Sequence, residues 1–187
     1  MYTEQVRSNL ENFQIETARL LLVPITMEYA EEIFRVFDDE ITRYMYPATP
    51  GSIEDTRIFI RKSIEGFSRG EEIVAAILTK DAREFIGNVG IHDINTSTPE
   101  LGIWIKKDAH GHGYGKEAVT GLKEWADTAL GYEYIKYPVV EENIPSRAIA
   151  ESLNGKEVLR YPKTNLSGVT HAMVEYYIHP NVPHAHQ

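Results

Sequence analysis

Apolar and polar positions along the chain change period several times, and each change marks an element. Arg19–Pro24 (RLLLVP) is a continuous apolar run of strand length. After Thr26, a residue type that caps helices, Ala30, Ile33, Phe34 and Phe37 recur at the i, i+3, i+4, i+7 spacing of an amphipathic helix. Ile41–Pro50 is rich in Pro and aromatics and predicts a loop. Ser52, with Asp55 three residues on, predicts a capping box opening a helix that runs to about Phe67. The period then shortens: Glu72–Thr79 and Glu84–Ile91 are short apolar runs joined by Lys80–Arg83, a hairpin pattern. Pro99 ends a second turn before a strand at Glu100–Ile105. Helical spacing returns from about Gly113 to Leu130, with Ala118, Val119, Leu122, Trp125, Ala126 and Ala129 on one stripe. Tyr134–Val140 predicts a strand, Ser146–Leu153 a short helix, and Glu157–Tyr161 and Thr170–Ile178 two last strands.

The order β-α-α-β-β-β-α-β-α-β-β implies a single α/β (α+β) domain over residues 1–187, with its core at about 17–178. Its sheet is mixed and mostly antiparallel, with one parallel crossover from Glu100–Ile105 through the long helix to Tyr134–Val140. Residues 179–187, which include His179, His184 and His186, predict a flexible tail rather than a metal site.

Composition narrows the function. Of 187 residues, 42% are hydrophobic and 25% charged, the balance of a globular domain. No apolar run approaches the ~20 residues of a membrane-spanning helix, and the opening MYTEQVRSNLENF has no apolar signal region, so the cytoplasm is the expected location and no membrane partner is expected. Cysteine is absent, which excludes disulfides, thiolate metal sites and an acyl-cysteine intermediate. The net charge of -9 argues against nucleic acid as a main partner and suits a cationic one.

The most informative segment runs from strand to helix through a glycine-rich turn: Ile103-Trp104-Ile105, then His110-Gly111-His112-Gly113-Tyr114-Gly115-Lys116. Alternate glycines leave the backbone unshielded where a helix opens, so free amides and the positive dipole end meet there, a site for pyrophosphate. A Walker loop would need Ser or Thr after Gly115-Lys116, where Glu117 stands, and the Rossmann spacing is absent.

Gly113 and Gly115, with His110 at the Gln/Arg position, resemble the coenzyme A loop (Gln/Arg-x-x-Gly-x-Gly/Ala) of the GNAT acetyltransferase superfamily. The likeness extends to Asn143-Ile144-Pro145-Ser146, similar to the family's Asn-x-x-Ser helix. Thr17-Ala18-Arg19-Leu20-Leu21-Leu22, Ile86-Gly87-Asn88-Val89-Gly90-Ile91 and Glu100-Leu101-Gly102-Ile103-Trp104-Ile105 resemble segments of the ribosomal-protein N-terminal acetyltransferase branch. The family's Gly-Phe after the helix is replaced by Asn154-Gly155.

The resemblance implies a GNAT fold and transfer of an acetyl group from acetyl-CoA, with no metal, to an amine acceptor: a protein N-terminus or a small amine. By the same likeness, backbone groups of Ile103, Trp104 and Ile105 pair with the pantetheine arm, amides of His110, Gly111, His112, Gly113, Tyr114, Gly115 and Lys116 hold the pyrophosphate, and Asn143 bonds the pantetheine. Many members carry a Tyr as proton donor to sulfur where this chain has Ala150. Ser146 is the expected substitute, unless it only caps its helix. Glu100 is the expected general base, with His92 and His171 as rivals. The Ile41–Pro50 loop, with Tyr44, Tyr46 and Pro47, resembles the family's acceptor-side loop. A homodimer through the final strands is a further arrangement the resemblance implies. The alternative function is a non-catalytic coenzyme A-binding sensor or scaffold.

Overall fold

In the computed structural model, which describes residues 4–181, the predicted alternation closes into one eight-stranded sheet. The strands are β1 (Ile15–Glu16), β2 (Leu20–Pro24), β3 (Glu72–Thr79), β4 (Phe85–His92), β5 (Glu100–Ile105), β6 (Ile135–Val140), β7 (Lys156–Thr164) and β8 (Thr170–Ile178). They lie in the order β1-β2-β3-β4-β5-β6-β8-β7. The helices are α1 (Glu4–Glu11), α2 (Ala30–Val36), α3 (Asp39–Thr42), α4 (Ile53–Arg69), α5 (Tyr114–Ala129) and α6 (Ile144–Ser152). Every neighbouring strand pair is antiparallel except β5 with β6, joined by the predicted crossover through α5.

Alternation along the strands divides the core in two. Ile73, Ala75, Ile77, Val89, Ile91 and Leu101 point to one face and pack with Ala118, Val119, Leu122 and Ala126 of α5. Leu21, Val74, Ala76 and Leu78 point to the other and pack with Ile33 of α2 and Ile60 of α4. The capping box sets the start of α4: Ser52 N–H donates to Asp55 Oδ2 at 2.9 Å, and the helix ends at Gly70 in the left-handed region (φ 66).

Several elements depart from the sequence expectation, each for a local reason. The polar opening segment forms α1 and β1, held where Leu10 and Phe13 bury and the Phe13 ring meets Trp125 at 5.0 Å. Thr26 caps no amide, because the segment after it starts as a 3₁₀ turn (Met27–Tyr29), and Phe34 is exposed rather than on the buried stripe. The Ile41–Pro50 loop begins inside α3, whose opening amides (Glu40 and Ile41) bond Asp38 Oδ1 at 3.0 and 3.1 Å. Helix α6 starts at Ile144 and not Ser146. Of the expected tail, 182–187 lie outside the described residues. Within 179–181, Asn181 N–H donates to Asp127 Oδ2 at 3.4 Å and His179 meets the Glu133 carbonyl at 3.2 Å, so this stretch is held against the domain.

Candidate active site

Strands β5 and β6 pair at one position only, Glu100 opposite Lys136, where Lys136 N–H donates to the Pro99 carbonyl at 2.8 Å. Beyond it they part. At the other end of β5, Lys106 N–H donates to the Ile86 carbonyl on β4 at 2.8 Å. Backbone groups alternate sides along a strand, so Gly102 and Trp104 bond β4, and Leu101, Ile103 and Ile105 face the gap. Ile103 and the Ile105 N–H therefore present an open strand edge, whereas the Trp104 backbone is committed to β4. Trp104 contributes its indole instead, packed 4.8 Å from Phe37 and 5.9 Å from Phe85.

The glycine-rich turn follows at the far end of β5. His110 Nε2 lies 2.6 Å from the Ile105 carbonyl, which can only accept, so the ring donates and ties the turn to the strand edge. Gly111 (φ 80) and Gly113 (φ 76) sit in the left-handed region. Gly113 is the N-cap of α5 and no side chain caps its first turn, so the opening amides stay available to an anion. A Cβ on Gly115 would lie 3.3 Å from Ile149 and 3.6 Å from Ile105, so this glycine also lets α5 approach α6 and β5. Lys106, Lys107 and Arg19 are each paired with a carboxylate, whereas Lys116 has no ion pair among the described residues.

Glu117 fastens this turn from behind. It accepts from Thr17 Oγ1 at 2.6 Å and from Arg19 at both N–H (2.7 Å) and Nε (2.7 Å), while Arg19 Nη1 donates to the His112 carbonyl at 2.9 Å. The guanidinium lies 4.6 Å over Tyr114. Burial would raise the Glu117 pKa, but the bonds from Thr17 and Arg19 outweigh it and hold the carboxyl below its usual range. The Thr17–Arg19 segment and the glycine-rich turn are thus one construction. Glu117→Ala is expected to weaken acetyl-CoA binding about tenfold, the worth of one charge-assisted hydrogen bond. Calorimetry checks this, with Glu117→Gln expected to fall between the two.

A cavity of about 470 Å³ lies on the α2/α4 face and opens through the gap between β5 and β6. Its floor is the cross-strand pair Gly90 and Gly102, two positions without side chains. At one end stand His92 and Glu100, also register partners, and Glu72 continues the row on β3. His92 Nδ1 is 2.5 Å from Glu72 Oε2, and its Nε2 leans over Gly90, 3.0 Å from where a Cβ would stand. Burial pulls the His92 pKa down, but the Glu72 carboxylate, with Glu100 and Asp93 adding, outweighs it and raises it above the ordinary value. His171 lines the wall from β8, its ring 6.1 Å from Tyr44, and Tyr44, Tyr46 and Pro47 line the roof.

Across the gap lie Asn143 and Ser146. Asn143 is the N-cap of α6, its Oδ1 accepting from Ser146 N–H at 3.3 Å. Ser146 is therefore not the cap, and its hydroxyl meets Tyr137 Oη at 2.9 Å. Tyr137, on β6, is buried, and burial, only partly offset by the Ser146 bond, pushes its pKa up to about 12. Sequence reasoning missed Tyr137, which lies in a plain strand pattern (IKYPVV) with no motif around it. Among the described residues no group of three His, Asp or Glu is placed to hold a metal, and no helix is long and apolar enough to cross a membrane.

Comparison with known proteins shows the family and the fold. Over 138 residues the chain is 30% identical to the uncharacterized N-acetyltransferase YoaA of Bacillus subtilis, covering 72% of this chain and 78% of that one. The fold is similar to Mycobacterium smegmatis RimJ in complex with CoA-disulfide (TM-score 0.79, 18% identity, 89% and 87% of the two chains). It is likewise similar to RimL, a ribosomal L7/L12 alpha-N-protein acetyltransferase in complex with coenzyme A (TM-score 0.77, 16% identity, 88% and 97%). Residues 19–156 match the acetyltransferase (GNAT) domain, and with the opened β5–β6 pair and the uncapped turn before α5 the chain belongs to the GNAT family of acetyltransferases.

Proposed function

We propose that this enzyme passes an acetyl group from acetyl-CoA directly to a primary amine within a ternary complex, and that the amine is a protein N-terminus. One observation carries the reading: a single cavity joins the Glu100–His92 row on one face of the sheet to the Ser146–Tyr137 pair through the gap between β5 and β6. The residues fit the cosubstrate, since the uncapped α5 turn offers amides from Gly111 to Lys116 to pyrophosphate, the expected His110 amide being spent on the Lys107 carbonyl at 3.0 Å, and the open edge of Ile103 with the Ile105 N–H offers strand-like pairing to its arm. The edge of β5 spans roughly 17 Å at ~3.3 Å per residue, so only an elongated molecule reaches from the turn to the cavity. Acetyl-CoA supplies the acyl group there as a thioester.

The chain's own residues supply the rest. Asn143, its Oδ1 engaged by Ser146 N–H, keeps its amide N–H groups for the arm. The Ser146 hydroxyl donates a hydrogen bond to the departing sulfur, and Tyr137, a phenol kept protonated by burial, donates in turn to the Ser146 oxygen. The acidic row of Glu72 and Glu100 attracts an ammonium, and Glu100 takes its proton, through water where the reach is long. His92 stands between Glu72 and Glu100 in the strand register. An α-amine has a pKa of about 8 against about 10 for an alkyl amine, so it needs the weaker base. The likeness to RimL supports this acceptor class. A cytoplasmic protein without a nucleic-acid or membrane partner fits the same reading, and the outer strand β7, with Val158 and Leu159 exposed, offers an edge for a homodimer.

A peptide library incubated with enzyme and acetyl-CoA is expected to gain acetyl at α-amines by mass spectrometry; acetylation confined to lysine side chains or small amines would overturn the N-terminal acceptor. At saturating acceptor, Glu100→Gln is expected to lower kcat and remove the acidic limb of its pH profile, and His92→Gln to leave that limb in place. The His92–Glu72 pair also predicts a pH-dependent stability. The folded pKa lies above the unfolded value of about 6.5, so the pair stabilises fully below that value and the contribution is lost as pH rises through the raised folded pKa. The Tm difference between wild type and Glu72→Gln should therefore be larger near pH 6 than near pH 9.

A further inference from the structure

Among the described residues, three buried side-chain polar atoms have no hydrogen-bond partner: Thr56 Oγ1, Asn88 Oδ1 and His171 Nε2. All three residues line the cavity. Thr56 and Asn88 are each 3% exposed, so bulk water does not serve them, and a fold keeps such unsatisfied atoms only where something else does. Their chemistry is defined. Asn88 Nδ2 donates to the Ala75 carbonyl at 3.1 Å, and a carbonyl only accepts, so the amide orientation is fixed and Oδ1 is left as an acceptor. Thr56, on the inward face of α4, makes no bond to its own helix and leaves a hydroxyl able to donate or accept. Around them the walls are Ile33, Phe37, Phe59 and Val74, which offer no hydrogen bond.

Their position relates them to the transfer site. Asn88 is the register partner of Trp104, one alternation step (roughly 7 Å) along the sheet from the Gly90–Gly102 floor, and Glu100 and His92 lie one step beyond that floor. A molecule whose amine lies over the glycine floor thus extends its body toward Asn88 and Thr56. We propose that these two residues form a specificity subsite that selects primary amines whose body carries a hydroxyl or N–H donor. The inference rests on the reading of this cavity as the amine's site. An apolar body leaves the Asn88 acceptor unsatisfied, which gives the subsite its power of rejection.

Calorimetry on the coenzyme A-loaded enzyme tests this with two matched pairs, ethanolamine against propylamine and serinamide against 2-aminobutanamide, each exchanging a hydroxyl for a methyl. The hydroxyl member is expected to bind at least about tenfold more tightly, the worth of one neutral hydrogen bond. Asn88→Ala should collapse that ratio, though it also removes the bond to Ala75. Thr56→Val conserves shape and removes a hydroxyl with no partner, so it should reduce the ratio while leaving Tm equal or higher. Equal binding within both pairs, or a ratio unchanged in both variants, overturns the subsite. Acetyl transfer to the same amines, followed in parallel, separates the two claims: discrimination in binding without transfer sustains the subsite and contradicts the transferase reading.

Discussion

Gly113→Val is expected to raise the Kd for acetyl-CoA about a hundredfold while the enzyme stays folded. Gly113 has φ 76, a conformation that a β-branched residue avoids, and it sets the direction in which the first amides of α5 point. Holding a non-glycine residue there costs ~1–3 kcal/mol, so the turn relaxes and its amides no longer converge on one anion. The fold tolerates the change because the position is exposed, with Arg19 Nη2 at 3.7 Å the nearest atom a Cβ would meet. Calorimetry on the folded variant, with circular dichroism to confirm the fold, checks it; unchanged affinity would remove the turn from the coenzyme site.

The second large effect concerns the leaving group. Ser146→Ala is expected to lower kcat about a hundredfold with a smaller change in KM for acetyl-CoA, the lower end of what a positioned proton donor contributes. Because Asn143 caps α6, the variant keeps its cap, and the loss cannot be charged to a frayed helix. Tyr137→Phe should lower kcat less, about tenfold, since Ser146 still reaches the sulfur but lacks the donor behind it. The two losses should not add in the double variant, because both act through one hydroxyl. Full turnover in Ser146→Ala, with or without loss of Tm, would leave the sulfur to another donor.

Elements defined by local pattern were legible before the structure: the Ser52–Asp55 box, the β3–β4 hairpin, and the strand–turn–helix around Gly113 each state their geometry within a few residues. The uncapped opening of α5 and the Asn143–Ser146 segment were readable for the same reason. What depends on register or docking was not. Glu72 and His92 are 20 positions apart and meet because β3 and β4 pair residue for residue. Tyr137 gains a role only where α6 lays Ser146 against β6. Asn88 sits in a run whose likeness to a family segment says nothing of its side chain, and its free oxygen follows from the bond its other amide atom makes across the sheet. Helix α1 escaped notice because one buried leucine, Leu10, does not make a period.

The central claim is that the opened β5–β6 edge presents a thioester to an amine and that the chain completes the transfer. Its most direct measurement is the free thiol released from acetyl-CoA, counted against the acetyl groups gained by an N-terminal peptide acceptor by mass spectrometry. The account predicts one thiol for each acetylated α-amine, with both falling together in Ser146→Ala. Tight coenzyme A binding with no thiol released beyond the amine-free background, for any peptide or small amine, would contradict it and mark the protein as a coenzyme A-binding sensor.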